Sequence, residues 1–157
     1  MKILQASVKD ANEILNLQKS AFQIEAEIYN NYDISPLKET IEEISRCFKT
    51  HVFLKAEDSG KIVGAVRAFE KDETCYIGRL AVSKEMQNRG IGTLLMKEIE
   101  KYFKPKRFEL FTGAKSEKNI RLYKKLGYSP FGEKKSGCGG LVEVIFMEKI
   151  KFCKRRG

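Results

Sequence analysis

The sequence predicts an α+β fold: a mixed, mainly antiparallel, twisted sheet flanked by about four helices, in the order β α α β β β α β α β β. Three observations carry this. Apolar residues recur at steps of three and four in four separate stretches. Between residues 52 and 83 three strand-like runs follow one another through short turns, as in an antiparallel meander. Towards the carboxy terminus strand and helix patterns alternate, giving one strand-helix-strand unit.

The elements follow in order. Lys2 to Ser7 alternates like a short strand. Ser7 and Asp10 then approximate a capping box, and Ile14, Leu17, Ala21, Ile24 and Ile28 mark the buried face of one long helix. Ser35-Pro36 restarts a helix with Pro36 at its first position, and Leu37, Ile41, Ile44 and Phe48 as its apolar face up to about Thr50. The meander comprises VFLKAE, the turn Asp58-Ser59-Gly60, KIVGAVRAFE, the turn Lys71-Asp72-Glu73, and TCYIGRLAVS. Ile91, Leu95, Ile99 and Tyr102 restore the helical period until Pro105; RFELFTGA is strand-like. Ile120, Tyr123 and Leu126 form a last helix closed by Gly127, and two strands flank a glycine-rich loop from Gly137 to Gly140.

Length and composition narrow the function. The chain has 157 residues, 42% hydrophobic and 32% charged, which is enough apolar material for one domain spanning 1–157 and too much for a disordered chain. No apolar stretch reaches the ~18 residues of a membrane span, so we expect a cytoplasmic protein with no membrane partner. Cys47, Cys75, Cys138 and Cys153 are scattered, with one histidine to join them, which argues for reduced thiols and against a metal site. That histidine, His51, reads as the start of a strand, and Ser/His or Cys/His catalysis would have to rest on it alone.

Charge is divided unevenly. Residues 1–83 hold 11 basic and 13 acidic side chains, net −2, whereas residues 84–157 hold 19 and 8, net +11. The second half therefore repels itself unless it is solvated or meets an anion such as nucleic acid, acidic lipid or a multiply phosphorylated cofactor.

The segment LAVSKEMQNRGIGTLL, residues 80–95, passes from a strand through a basic turn with two glycines into a helix. A helix amino terminus presents unpaired N–H groups to an anion, and Gly90 and Gly92 lack the Cβ that would block close approach. The same glycines would also serve a simple turn. The dinucleotide fingerprint fails at Leu95, and the Walker loop lacks its Gly-Lys-Ser/Thr.

The segment resembles the coenzyme A loop of the GNAT superfamily of N-acetyltransferases, Q/R-x-x-G-x-G/A, here Gln87-Asn88-Arg89-Gly90-Ile91-Gly92. Residues 116–128, SEKNIRLYKKLGY, resemble the superfamily's last helix, with Tyr123, Gly127 and Tyr128 in register. Ser116 stands where asparagine is usual, and Asn119 where a small residue is usual, so the resemblance implies Asn119 rather than Ser116 as a cofactor contact. The resemblance implies a GNAT-like fold and acetyl-CoA as cosubstrate, with residues 87–93, from Gln87 to Thr93, cradling its pyrophosphate. It also implies a V-shaped opening between the strands around Leu80 and Phe108, with Leu80 N–H at the thioester carbonyl and Val82 N–H on the pantetheine arm. Nucleic acid then becomes the weaker explanation of the basic half.

By the same resemblance Tyr123 is the general acid for the leaving thiolate, since a phenol of pKa ~10 is protonated at neutral pH; packing in the core is its alternative role. The base is unassigned among Tyr76, Glu70, Glu73 and an amine that arrives neutral. The stretch between the first two helices would wall the acceptor site, where Glu25, Glu27 and Tyr29, with Tyr32 and Asp33, suit a cationic amine, small or peptide-borne. A homodimer is compatible with this reading. An idle acyl-CoA sensor is the nearest alternative function, and a basic nucleic-acid-binding module the next.

Overall fold

A computed structural model describes residues 1–136 and 142–151; the glycine-rich loop, Cys138 and Cys153 lie outside the described residues. The expected order of strands and helices is present, with the second expected helix divided in two. Strands β1 (Lys2–Gln5), β2 (Val52–Asp58), β3 (Lys61–Lys71), β4 (Thr74–Val82), β5 (Arg107–Gly113), β6 (Ser129–Ser136) and β7 (Val142–Ile150) form one sheet, ordered β1-β2-β3-β4-β5-β7-β6. Every pairing is antiparallel except β4 with β5, which are joined through helix α4 (Ile91–Glu100). A parallel pair needs such a crossover.

Helices cover both faces. On one side α1 (Ala11–Tyr29), with α2 (Ser35–Lys38) and α3 (Ile41–Cys47) beside it, buries Ile14, Leu15, Leu17 and Ile44 against Phe53, Ala65 and Ala81. On the other, α4 and α5 (Glu117–Lys125) pack Ile91, Leu95, Met96, Ile99 and Tyr123 against Leu54, Val66, Ile77 and Phe108. Strand β3 lies under both layers, which is why Ile62 to Ala68 are all buried. Gly64 lets α4 close on it: a Cβ there would stand 2.9 Å from Leu95 and 3.0 Å from Ile91.

Four expectations are corrected. The helix expected from Pro36 to Thr50 is two helices, because Glu39 and Thr40 are extended and Thr40 caps α3 through a box with Glu43. Its first residue is Ser35, so Pro36 is second. Tyr102 is exposed beyond the end of α4, and Phe103 packs on the core in its place. Ile28, expected in the core, is 45% exposed because the last turns of α1 overhang the gap where β4 and β5 part.

Candidate active site

The site begins where the sheet splits. Strands β4 and β5 pair only at Thr74 with Arg107, Cys75 with Phe108 and Tyr76 with Glu109, and then diverge. The opening therefore lies between Ile77–Val82 and Leu110–Gly113, and Phe108, expected at its edge, is buried in the paired stretch. Beside it β4 carries an irregularity: its register with β3 shifts between Ala65 and Arg67, opposite Arg79, whose φ is +53°.

Past this bulge the ladder sets which groups face the gap. Ser83 N–H donates to Val63 O, and Ala81 lies opposite Ala65, so alternate residues turn their polar groups towards β3. The N–H groups of Leu80 and Val82 consequently point to the open edge. Val82 O points the same way and accepts a bond of 3.4 Å from Gln87 Nε2.

Next comes the helix entrance. Asn88 and Gly90 have φ of +65° and +79°, and this pair of left-handed residues turns the chain into α4. Leu94 N–H is the first to find an intrahelical carbonyl, that of Gly90, so the N–H groups of Ile91, Gly92 and Thr93 face outwards unpaired. A Cβ on Gly90 would meet nothing within 4 Å, so the space before the helix is clear.

These groups line a cavity of about 650 Å³ bounded by Leu80 to Val82, by Gln87, Asn88 and Gly90 to Thr93, by Ile24 and Ile28 of α1, and by Ser116 and Asn119 at the start of α5. Lys115, Lys118, Arg121 and Lys125 line it against only Glu25 and Glu117, a positive balance that suits an anion. Lys118 also reaches Gln87 Oε1 at 3.3 Å. Arg89 is exposed and lies outside this lining.

A second cavity, about 480 Å³, opens on the other side of the gap and shares Phe22, Glu25, Leu80 and Asn119 with the first. Tyr123 lines it, 6% exposed, its hydroxyl without a hydrogen bond among the described residues. Burial, and then the Glu25 carboxylate, push its pKa well above the usual phenol value, so it stays protonated. Glu25 accepts hydrogen bonds from Ser116 Oγ and, at 3.4 Å, Asn119 Nδ2. Tyr29 lines the cavity too, its hydroxyl accepting from Lys115 N–H at 2.7 Å and raised in pKa, chiefly by burial. Gly113 makes room for that hydroxyl, since a Cβ there would collide with it.

Other acceptor-site expectations fall away from the opening. Glu27 is exposed outside both cavities, Tyr32 is exposed, and Asp33 pairs with Lys38 at 3.7 Å. Among the residues considered as base, Tyr76 lines the second cavity, whereas Glu70 and Glu73 are exposed outside it.

Sequence reasoning missed the floor of the second cavity. His51 stands before β2 rather than in it, half-buried, its ring 4.7 Å from Phe69 and Nδ1 2.7 Å from Thr50 Oγ1; burial, then Arg67, hold its pKa below the ordinary value. Behind it Arg67 makes two bonds to Glu39, of 3.1 and 2.9 Å, and Gln18 a third of 3.0 Å. Burial opposes the charge on Glu39, but these bonds and the two nearby arginines outweigh it, so its pKa lies below the usual value. An arginine inside the apolar run of β3 was the available signal. Among the described residues no group of three or more His, Cys, Asp or Glu is placed to hold a metal, and no helix is long and apolar enough to cross a membrane.

Comparison with known proteins agrees with this geometry. Residues 11–128 match the family model described as the acetyltransferase (GNAT) family. An uncharacterized N-acetyltransferase of Bacillus subtilis, YjcF, is 28% identical over 130 residues, which is 83% of this chain and 91% of the relative. The ribosomal-protein-alanine N-acetyltransferase of Brucella melitensis superposes with a TM-score of 0.77 at 20% identity, over 96% of this chain and all of that one. A PaiA N-acetyltransferase of Thermoplasma acidophilum, solved in complex with coenzyme A, does so with 0.70 at 20%, over 96% and 98%.

Proposed function

Because the chain belongs to the GNAT acetyltransferase family, and is thus an acyltransferase that uses acetyl-CoA, we propose that it acetylates a primary amine that arrives as a cation at Glu25. The acceptor is a small molecule or a peptide, and the enzyme works in the cytoplasm as one domain. The observation that carries this is the meeting of two cavities, one ringed by cations, at the unpaired N–H of Leu80.

The residues of the first cavity fit the cofactor: N–H donors at the start of α4, four cations, and open-edge N–H groups on β4 suit a long, polyphosphorylated thioester. When bound, acetyl-CoA would supply an activated acetyl group to the amine nitrogen; the cationic amine gives up two protons in all, one to solvent or a base before attack and a second as the amide forms, while the leaving sulfur takes one up. Ile91, Gly92 and Thr93 N–H groups hold phosphate charge, and Val82 N–H orients the arm. Leu80 N–H, fixed by the bulge beforehand, is directed at developing oxyanion charge. Tyr123 keeps a proton on its hydroxyl for the departing thiolate.

Incubation with acetyl-CoA and a panel of small amines and peptides, read by thiol release and product mass, tests the reading. We expect at least one amine to be acetylated. Cofactor binding without transfer to any member would instead support an acyl-CoA sensor.

A further inference from the structure

Two guanidinium groups converge on the floor of the second cavity, and only one carboxylate lies between them. Both oxygens of Glu39 are engaged by Arg67, and one also by Gln18. Arg79 stands behind this pair, its Nε 3.8 Å from Glu39 Oε1, which is too long for a hydrogen bond. That Nε is buried and, alone among the buried side-chain polar atoms of the described residues, has no hydrogen-bond partner. The other carboxylates lining the cavity are committed elsewhere: Glu109 to Arg107 at 2.8 Å, and Glu25 to Ser116 and Asn119.

A buried cation with an unanswered donor is costly, and such groups ordinarily find a partner. Arg79 sits in the bulge with positive φ, and its side chain, 20% exposed, lines the cavity. Burial, and then the neighbouring Arg67, press it towards its neutral form against the weaker pull of Glu39 and Glu43, and an anion in the cavity would offset that pressure. The next residue is Leu80, about 3.8 Å along the chain from Cα to Cα. Arg79 and Leu80 line the same cavity, so an acid group held by Arg79 would keep the rest of a small molecule in the chamber that the Leu80 N–H borders.

We propose that the acceptor carries a carboxylate besides its amine, and that Arg79, backed by Arg67, binds it. The class is a small amino acid. Phe22, Phe69, Tyr76, Phe111 and Phe146 line the same cavity and favour an apolar side chain on it. This rests on the acetyltransferase reading above and adds the chemical class of its acceptor.

The test compares L-phenylalanine and L-leucine with their amides and with phenethylamine and isoamylamine as acceptors, by kcat/KM with acetyl-CoA. A charge-assisted pair predicts that each acid exceeds its amide and its decarboxylated amine by about tenfold or more. In Arg79→Gln the ratio of acid to amide should fall towards one, and Arg79→Lys, which keeps the charge without the fork, should retain part of it. The wild-type ratio stands whether or not either variant folds. Amides or plain amines used as well as the acids would overturn the proposal while leaving the acetyltransferase reading intact. Acetylation of no amine, with acetyl-CoA still raising the melting temperature, would overturn that reading and this one with it.

Discussion

Tyr123 can serve both roles open to it, because its ring packs in the core beside Tyr128, with ring centres 6.1 Å apart, while the residue lines the second cavity. Tyr123→Phe keeps the packing and removes the proton, so turnover should fall by ~100-fold or more with acetyl-CoA affinity little changed. Steady-state kinetics on the variant decide it, and full activity would leave Tyr123 as a core residue. Glu25 and Glu27 separate as two residues on a helix must, one facing the opening and one facing solvent. Glu25→Gln should raise the acceptor KM by ~10-fold or more, whereas Glu27→Gln should leave it unchanged; equal constants in both would make Glu25 only a clasp for Ser116. The residues at the entrance of α4 and along α5 were legible because they sit in two short, spaced motifs. Gln18, Glu39, Arg67 and Arg79 were not: the bonds joining Arg67 to Glu39 span 28 positions, and no local pattern records such a meeting.

At the scale of elements, strand and helix order followed from periodicity, but periodicity does not see interruptions. Ile41 and Ile44 continue the spacing of Leu37 so well that the break at Glu39 is invisible to it; Thr40 and Glu43, three apart, were the missed signal. Ile28 keeps the helical period too, but whether it is buried depends on sheet beneath it, and there the sheet has parted. The entrance to α4 offers the sharpest test of an element. Acetyl-CoA at a hundred times its dissociation constant should stabilise the fold by ~2.7 kcal/mol, a melting shift of roughly 5 to 10 °C at this length. Gly90→Asn should abolish the shift, because asparagine tolerates the left-handed conformation and fills the clear space with a side chain. An undiminished shift in the folded variant would move the phosphate away from this helix.

Across the whole molecule, buried titratable groups set a window of stability. Cys75 lies in the core, where burial, and then Glu70 and Glu100, push its thiol from 9.0 to about 12. Tyr123 and Tyr128 are likewise raised, mainly by burial. From pH 9 upwards the unfolded chain loses protons that the folded one keeps, so stability must fall as pH rises. Glu39, held below its usual value, works in reverse: its contribution is present above the unfolded pKa and is lost as pH falls through the folded one. Denaturant titrations at a series of pH values should give a flatter alkaline limb for Cys75→Ala, by up to ~1.4 kcal/mol per pH unit, and an unaltered limb would dismiss the thiol. The three paired residues between β4 and β5 have a mechanical consequence. They make the sheet two panels on a short hinge, with the last turns of α1 as a latch, since Glu25 and Tyr29 reach across to Ser116 and Lys115 on the far panel. Deuterium should therefore enter the backbone of Leu80 and Val82 sooner than that of Ala81, and weakening the latch with Tyr29→Phe should let the panels swing wide enough to quicken uptake along the whole seam.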